Sequence, residues 1–217
     1  MSNAQPEGFL AEPAAGSGPG VLVLHAWWGL NDTIKAFCTR LSEAGFTAFA
    51  PDLYHGKVVT SIPDAEAAVE ALDANSQQAA AEVAEAARNL YERVGPADRE
   101  RGLTVIGFSL GAFYALSLSA DDPERVRSVV LFYGTGGADF SSSKAAYLGH
   151  FAGNDPFEPP ENVAELEQYL KSLGRPVNFY TYPGTSHWFF EPDRPEYNPE
   201  AANQAWERTL AFLNGSK

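Results

Sequence analysis

Basic residues are scarce in this chain of 217 residues. Fifteen Lys and Arg stand against 28 Asp and Glu, a formal net charge of −13, and the few cations are too scattered to form the basic stripe that a polyphosphate backbone requires. Neither a nucleic acid nor an anionic membrane surface is an expected partner. Cysteine is scarcer still. Cys38 stands alone, which excludes an intrachain disulfide and any multi-cysteine metal site; it falls in an apolar helical stripe and is expected to pack in a core. No apolar run approaches the roughly 18 residues of a membrane-spanning helix. Met1 to Pro6 lacks the basic-then-apolar pattern of a signal peptide, so a soluble, cytoplasmic chain is expected. Only four histidines occur, and any chemistry that needs an imidazole must use one of them.

What is present is the composition of a globular protein, 45% hydrophobic and 20% charged. The length fits one domain over residues 1–217, with its core within about 8–213. Continuous apolar runs at Val21 to Leu24, Phe46 to Ala50, Leu103 to Phe108, Val126 to Tyr133, Ala145 to Phe151 and Val177 to Tyr182 read as buried strands. Helical spacing separates them. Ile34, Phe37, Cys38 and Leu41 form one stripe, with Asn31 or Asp32 as N-cap and Gly45 just past the end. Further helices are expected over about Asn75 to Val94, Leu110 to Ser119, Pro160 to Leu173 and Glu200 to Leu213. The alternation predicts an α/β fold, a mostly parallel central sheet with helices on both faces. Right-handed crossovers bring every strand-to-helix loop to the carboxyl edge, where chemistry should be sought. Gly134 to Ser143 is the candidate for a mobile surface loop.

One such loop reads Gly107-Phe-Ser-Leu-Gly111, directly after an apolar strand. In a G-x-S-x-G pentapeptide the glycines allow a sharp turn from strand into helix, which pushes the serine hydroxyl outward at a helix N-terminus. Ser109 is therefore the candidate nucleophile. It needs a base, and His187 lies in the loop after the last strand, whereas His150 sits inside a strand, His25 begins a loop with other work, and His55 lies in a loop near the same edge, where it either shapes the pocket or has no role. The imidazole needs a carboxylate on its second nitrogen. Asp155, after Gly153 and before Pro156, is favoured over Glu158 and Asp139. The order Ser109, Asp155, His187 is that of α/β-hydrolases. For the oxygen of an attacked carbonyl, the backbone N–H groups of Leu110 and Trp27 are the expected donors. His25, Trp28, Tyr54, Trp188 and Phe189 are the expected pocket lining.

Five segments, His25-Ala-Trp-Trp-Gly-Leu-Asn31, Ala50-Pro-Asp-Leu-Tyr54, Gly107-Phe-Ser-Leu-Gly111, Ala152-Gly-Asn-Asp155 and Pro183-Gly-Thr-Ser-His187, resemble the dienelactone hydrolase family in order and spacing. The resemblance implies a sheet of eight strands or slightly fewer, with the family's first strand missing, hydrolysis of an ester or lactone through an acyl-enzyme, and no metal or other cofactor. Two differences bear on the substrate. The best-known members carry cysteine where this chain has Ser109, with a glutamate where it has Ala26. Their substrate-binding arginines are absent too: Phe190-Glu191 follows the histidine, and no arginine occurs from Lys57 to Asn75. A neutral, partly aromatic ester is expected rather than dienelactone itself. Acyl transfer, thioester or peptide hydrolysis by the same triad, and a non-catalytic binding role for the fold, are the alternatives.

Overall fold

The computed structural model describes residues 7–215. Among the described residues seven strands form one sheet in the order β1-β3-β2-β4-β5-β6-β7: β1 (Gly8–Ala11), β2 (Gly20–Leu24), β3 (Thr47–Pro51), β4 (Leu103–Phe108), β5 (Val126–Phe132), β6 (Ala146–Ala152) and β7 (Val177–Tyr182). All neighbours run parallel except β1, which pairs antiparallel with β3. Strands β2, β3 and β4 are buried throughout, as expected for apolar runs covered on both faces, while β7 at the edge alternates. β1 is an edge element that four residues are too few to announce by periodicity.

Among the described residues six helices lie between these strands, α1 (Asp32–Glu43), α2 (Ile62–Asp73), α3 (Ser76–Arg93), α4 (Pro96–Arg101), α5 (Leu110–Asp121) and α6 (Pro160–Ser172), and α7 (Pro199–Gly215) follows the last strand. Successive strand residues feed opposite cores, because side chains alternate across a strand. Val21 and Val23 join Ile34, Phe37 and Trp206 of α1 and α7 on one face; Leu22 and Leu24 join Val83, Leu90, Ala115 and Leu170 of α3, α5 and α6 on the other. Cys38 is 0% exposed within the first of these layers, and burial pushes its thiol up to about 12. Asn31 is the N-cap of α1, its side chain accepting the N–H of Ile34 at 3.1 Å.

Two helices lie in segments that apolar spacing alone leaves as loop. The cue for α2 is a Ser61-x-x-Asp64 capping pair, in which Ser61 Oγ accepts the Asp64 N–H; α4 is a six-residue turn with no buried residue. Gly134 to Ser143 is irregular but anchored, with Phe140 and Ser143 both at 0% exposure, so the expectation of a mobile surface loop fails at its C-terminal end. Among the described residues no helix is long and apolar enough to cross a membrane.

Candidate active site

The carboxyl ends of β2, β4, β5, β6 and β7 share one edge of the sheet, and each is followed by a residue of the site. Ser109, between β4 and α5, has φ 48° and ψ −111°, a backbone conformation that non-glycine residues rarely adopt. Its flanking glycines make that turn possible by close approach. A Cβ on Gly107 would lie 2.3 Å from the carbonyl oxygen of Gly111, and one on Gly111 would lie 2.2 Å from that of Leu24. The Ser109 N–H is tied to the Phe132 carbonyl at 2.9 Å, which leaves the side chain directed away from the sheet.

The Ser109 hydroxyl donates to His187 Nε2 at 2.9 Å. His187 Nδ1–H donates to the Asp155 carboxylate, 2.9 Å from Oδ1 and 2.8 Å from Oδ2. This network fixes the imidazole tautomer. The side chains of His187 and Asp155 are each only 4% exposed, so their interaction is shielded from solvent screening. Asp155 is itself oriented, its Oδ1 accepting the N–H groups of Phe157 and Glu158 at 2.9 and 3.0 Å. Neither rival carboxylate is free to replace it. Glu158 accepts the N–H and hydroxyl of Thr135, and Asp139 accepts the N–H of Ser141.

Trp27 lies in the loop after β2, and Leu110 opens α5 directly after Ser109; among the described residues neither backbone N–H donates to a backbone carbonyl in the turns, loops and caps. The loop holding Trp27 is pinned by His25. Its Nδ1–H donates to the Ala26 carbonyl at 2.7 Å, and its Nε2 accepts the N–H of Leu53 at 3.3 Å. Burial holds the pKa of His25 below its usual value, so it stays neutral and joins the loops after β2 and β3. With 0% exposure and both ring nitrogens engaged, His25 supports the pocket from behind rather than lining it. Phe189 needs the same correction: it is 0% exposed, packed against Tyr133 and Tyr182.

Trp28 is buried, with the Arg194 guanidinium 4.1 Å over its ring. Trp188 has φ 63°, packs on both Trp27 and Trp28, and is buried as well. Tyr54 is half-buried, its ring edge-on to His25. The aromatic surface that faces solvent comes largely from residues that sequence reasoning passed over. Phe157 is 46% exposed yet contacts Trp27, His187 and Trp188, and Phe113, one turn into α5, is 44% exposed. Their signal was position alone, two residues after Asp155 and four after Ser109. The other two histidines stand apart from the site. His150 is buried inside β6 between Tyr182 and Thr209, and His55 is exposed beside Glu82. Among the described residues no group of His, Cys, Asp or Glu could hold a metal ion.

A mostly parallel sheet with a strained serine after one strand and hydrogen-bonded histidine and aspartate after two others defines the class: this is an α/β-hydrolase fold. The sequence profile of the dienelactone hydrolase family matches residues 7–216, and the chain belongs to that family. Among curated proteins it is 32% identical, over 94% of this chain and 87% of the other, to a Bradyrhizobium protein named a probable 2-oxo-3-(5-oxofuran-2-ylidene)propanoate lactonase. It is 29% identical to a candidate carboxymethylenebutenolidase of Aquifex aeolicus, over 95% and 91% of the two chains. The crystal structure of a candidate dienelactone hydrolase from Klebsiella pneumoniae superposes with a TM-score of 0.79 at 26% identity, covering 94% of this chain and 90% of that one. Family membership supports a hydrolase activity of the dienelactone hydrolase type.

Proposed function

We propose that the chain is a serine-dependent carboxylic ester or lactone hydrolase with Ser109, His187 and Asp155 as its triad. The observation that carries this reading is the unbroken hydrogen-bond series from Ser109 Oγ through the imidazole to Asp155. Ser109 Oγ bonds to the substrate carbonyl carbon while its proton passes to His187 Nε2. The carbonyl oxygen becomes an anion held by the N–H groups of Trp27 and Leu110, at the positive end of α5. Collapse breaks the bond to the leaving oxygen, which takes the proton from His187. Water then attacks the acyl-enzyme along the same path in reverse, His187 accepting its proton and returning it to Ser109. The Asp155 carboxylate stabilises the imidazolium formed in each half.

Serine in place of the family's cysteine fits Ala26 at the neighbouring position. A thiol can be poised by a nearby carboxylate, whereas a hydroxyl does not ionise near neutrality and depends on the imidazole. For the substrate, the exposed ring of Phe157 against His187 and the net charge of −13 favour a neutral ester with an aromatic or extended apolar part over an anionic one. A panel of chromogenic aryl esters, lactones, thioesters, peptide amides and carboxylate-bearing lactones tests both points. Fastest turnover of neutral aryl esters is expected; turnover confined to thioesters or amides would defeat the esterase reading, and preference for the anionic lactones would defeat the substrate class.

A further inference from the structure

Glu191 has no part in the reaction above, yet it is placed where an idle carboxyl group would be a liability. It is 0% exposed. The Tyr133 hydroxyl donates to its Oε1 at 2.6 Å, and its Oε2 is buried without a partner. The charged groups of its own loop are Asp193, Arg194 and Glu196. Arg194, the sole cation among them, is committed to the Trp28 face and to Asp193, 2.8 Å away. Burial raises the Glu191 carboxyl to about 8, opposed by the Tyr133 hydrogen bond, so it is a neutral acid at pH 7.

Tyr133 links this acid to the site. It follows β5 with φ 40° and is 0% exposed, and its ring centroid lies 4.9 Å from that of His187. Asp155 lies close enough to act on the same phenol from the β6 side. The carboxyl of Glu191 is thus one aromatic ring away from the imidazole. A strained tyrosine, and a buried acid with one oxygen left without a partner, beside a reactive histidine are features that packing alone would select against.

We propose that Glu191, in its neutral form, is a positioning residue for His187: it holds Tyr133 against the imidazole and keeps a second negative charge away from the oxygen that becomes anionic during attack. This rests on the hydrolase reading above. An ionised Glu191 opposes the developing oxyanion and draws water into a buried layer. Activity therefore falls as pH rises through the ionisation of Glu191.

Two measurements on wild type, E191Q and Y133F test the proposal. Glutamine keeps an acceptor for the Tyr133 hydroxyl and cannot ionise; phenylalanine removes the donor that favours the anion. In nitrogen-15 NMR of the His187 ring, wild type should show a second inflection near pH 8, absent in E191Q and moved to higher pH in Y133F. In aryl-ester hydrolysis, wild type should lose activity several-fold from about pH 7 to about pH 9, E191Q should lose none relative to its own value at pH 7, and in Y133F the loss should begin later. An identical alkaline loss in wild type and E191Q, or a wild-type ring with no inflection near pH 8, overturns the proposal. An inflection that behaves as described in a protein that cleaves no ester at any pH supports the coupling of Glu191 to His187 and defeats the hydrolase reading instead.

Discussion

Replacing Glu191 by glutamine should stabilise the fold, and by an amount that grows with pH. The carboxyl is raised from 4.5 to about 8 in the folded protein, so between those values the unfolded chain has released its proton while the folded chain retains it. Because the unfolded state binds fewer protons throughout that window, stability falls as pH rises and then levels off above about 8. Each pH step inside the window costs about 1.4 kcal/mol. From pH 5 to pH 8 the wild type should lose about 4 kcal/mol that E191Q keeps, a large part of the roughly 5 to 15 kcal/mol that holds a domain together. Both side chains leave one buried polar atom unpaired, so the difference near pH 4 should be small. Urea denaturation of the two proteins at matched pH, with the midpoint read at unchanged slope, measures the gap. A gap that stays constant from pH 5 to pH 8 refutes the reasoning, for it would mean that Glu191 is already ionised in the folded state.

Three further outcomes follow from other parts of the structure. D155N should leave the fold intact and lower kcat by about 10⁴-fold, because an amide lets the imidazole take the wrong tautomer; steady-state kinetics on an aryl ester would decide it. G111A should be destabilised by more than about 4 kcal/mol or fail to accumulate as soluble protein, since its Cβ would stand 2.2 Å from the Leu24 carbonyl oxygen. On the acid side, burial holds His150 at about 3, so the unfolded chain gains a proton first as pH falls below 6.5. That should cost the wild type up to about 5 kcal/mol between pH 6.5 and 3, and H150Q should show a flatter acid limb in the same urea titration.

The main strands were legible because burial on both faces makes each a short apolar run, and a run needs no partner to be seen. The triad candidates were legible for a related reason: in an open parallel sheet each reactive residue follows its own strand, so chain order carries spatial order. Where packing across distant segments decides the outcome, sequence fails. His25 and Phe189 stand beside site residues in the chain, yet one is turned inward to join two loops and the other to fill the layer under Tyr133. Glu191 lies in Glu-Pro-Asp-Arg-Pro-Glu, which reads as a solvated turn, and only its meeting with Tyr133, 58 residues away, reveals a buried acid. The short helix α4 buries nothing and β1 is an edge, so neither imposes an apolar pattern.

The central claim is that Ser109 is the nucleophile, and the most direct measurement is intact-mass analysis after incubation with a fluorophosphonate. A single adduct is expected, mapping to the peptide that carries Gly107 to Gly111 and disappearing in S109A. A wild-type protein that stays unmodified, or an adduct that persists in S109A, would contradict it.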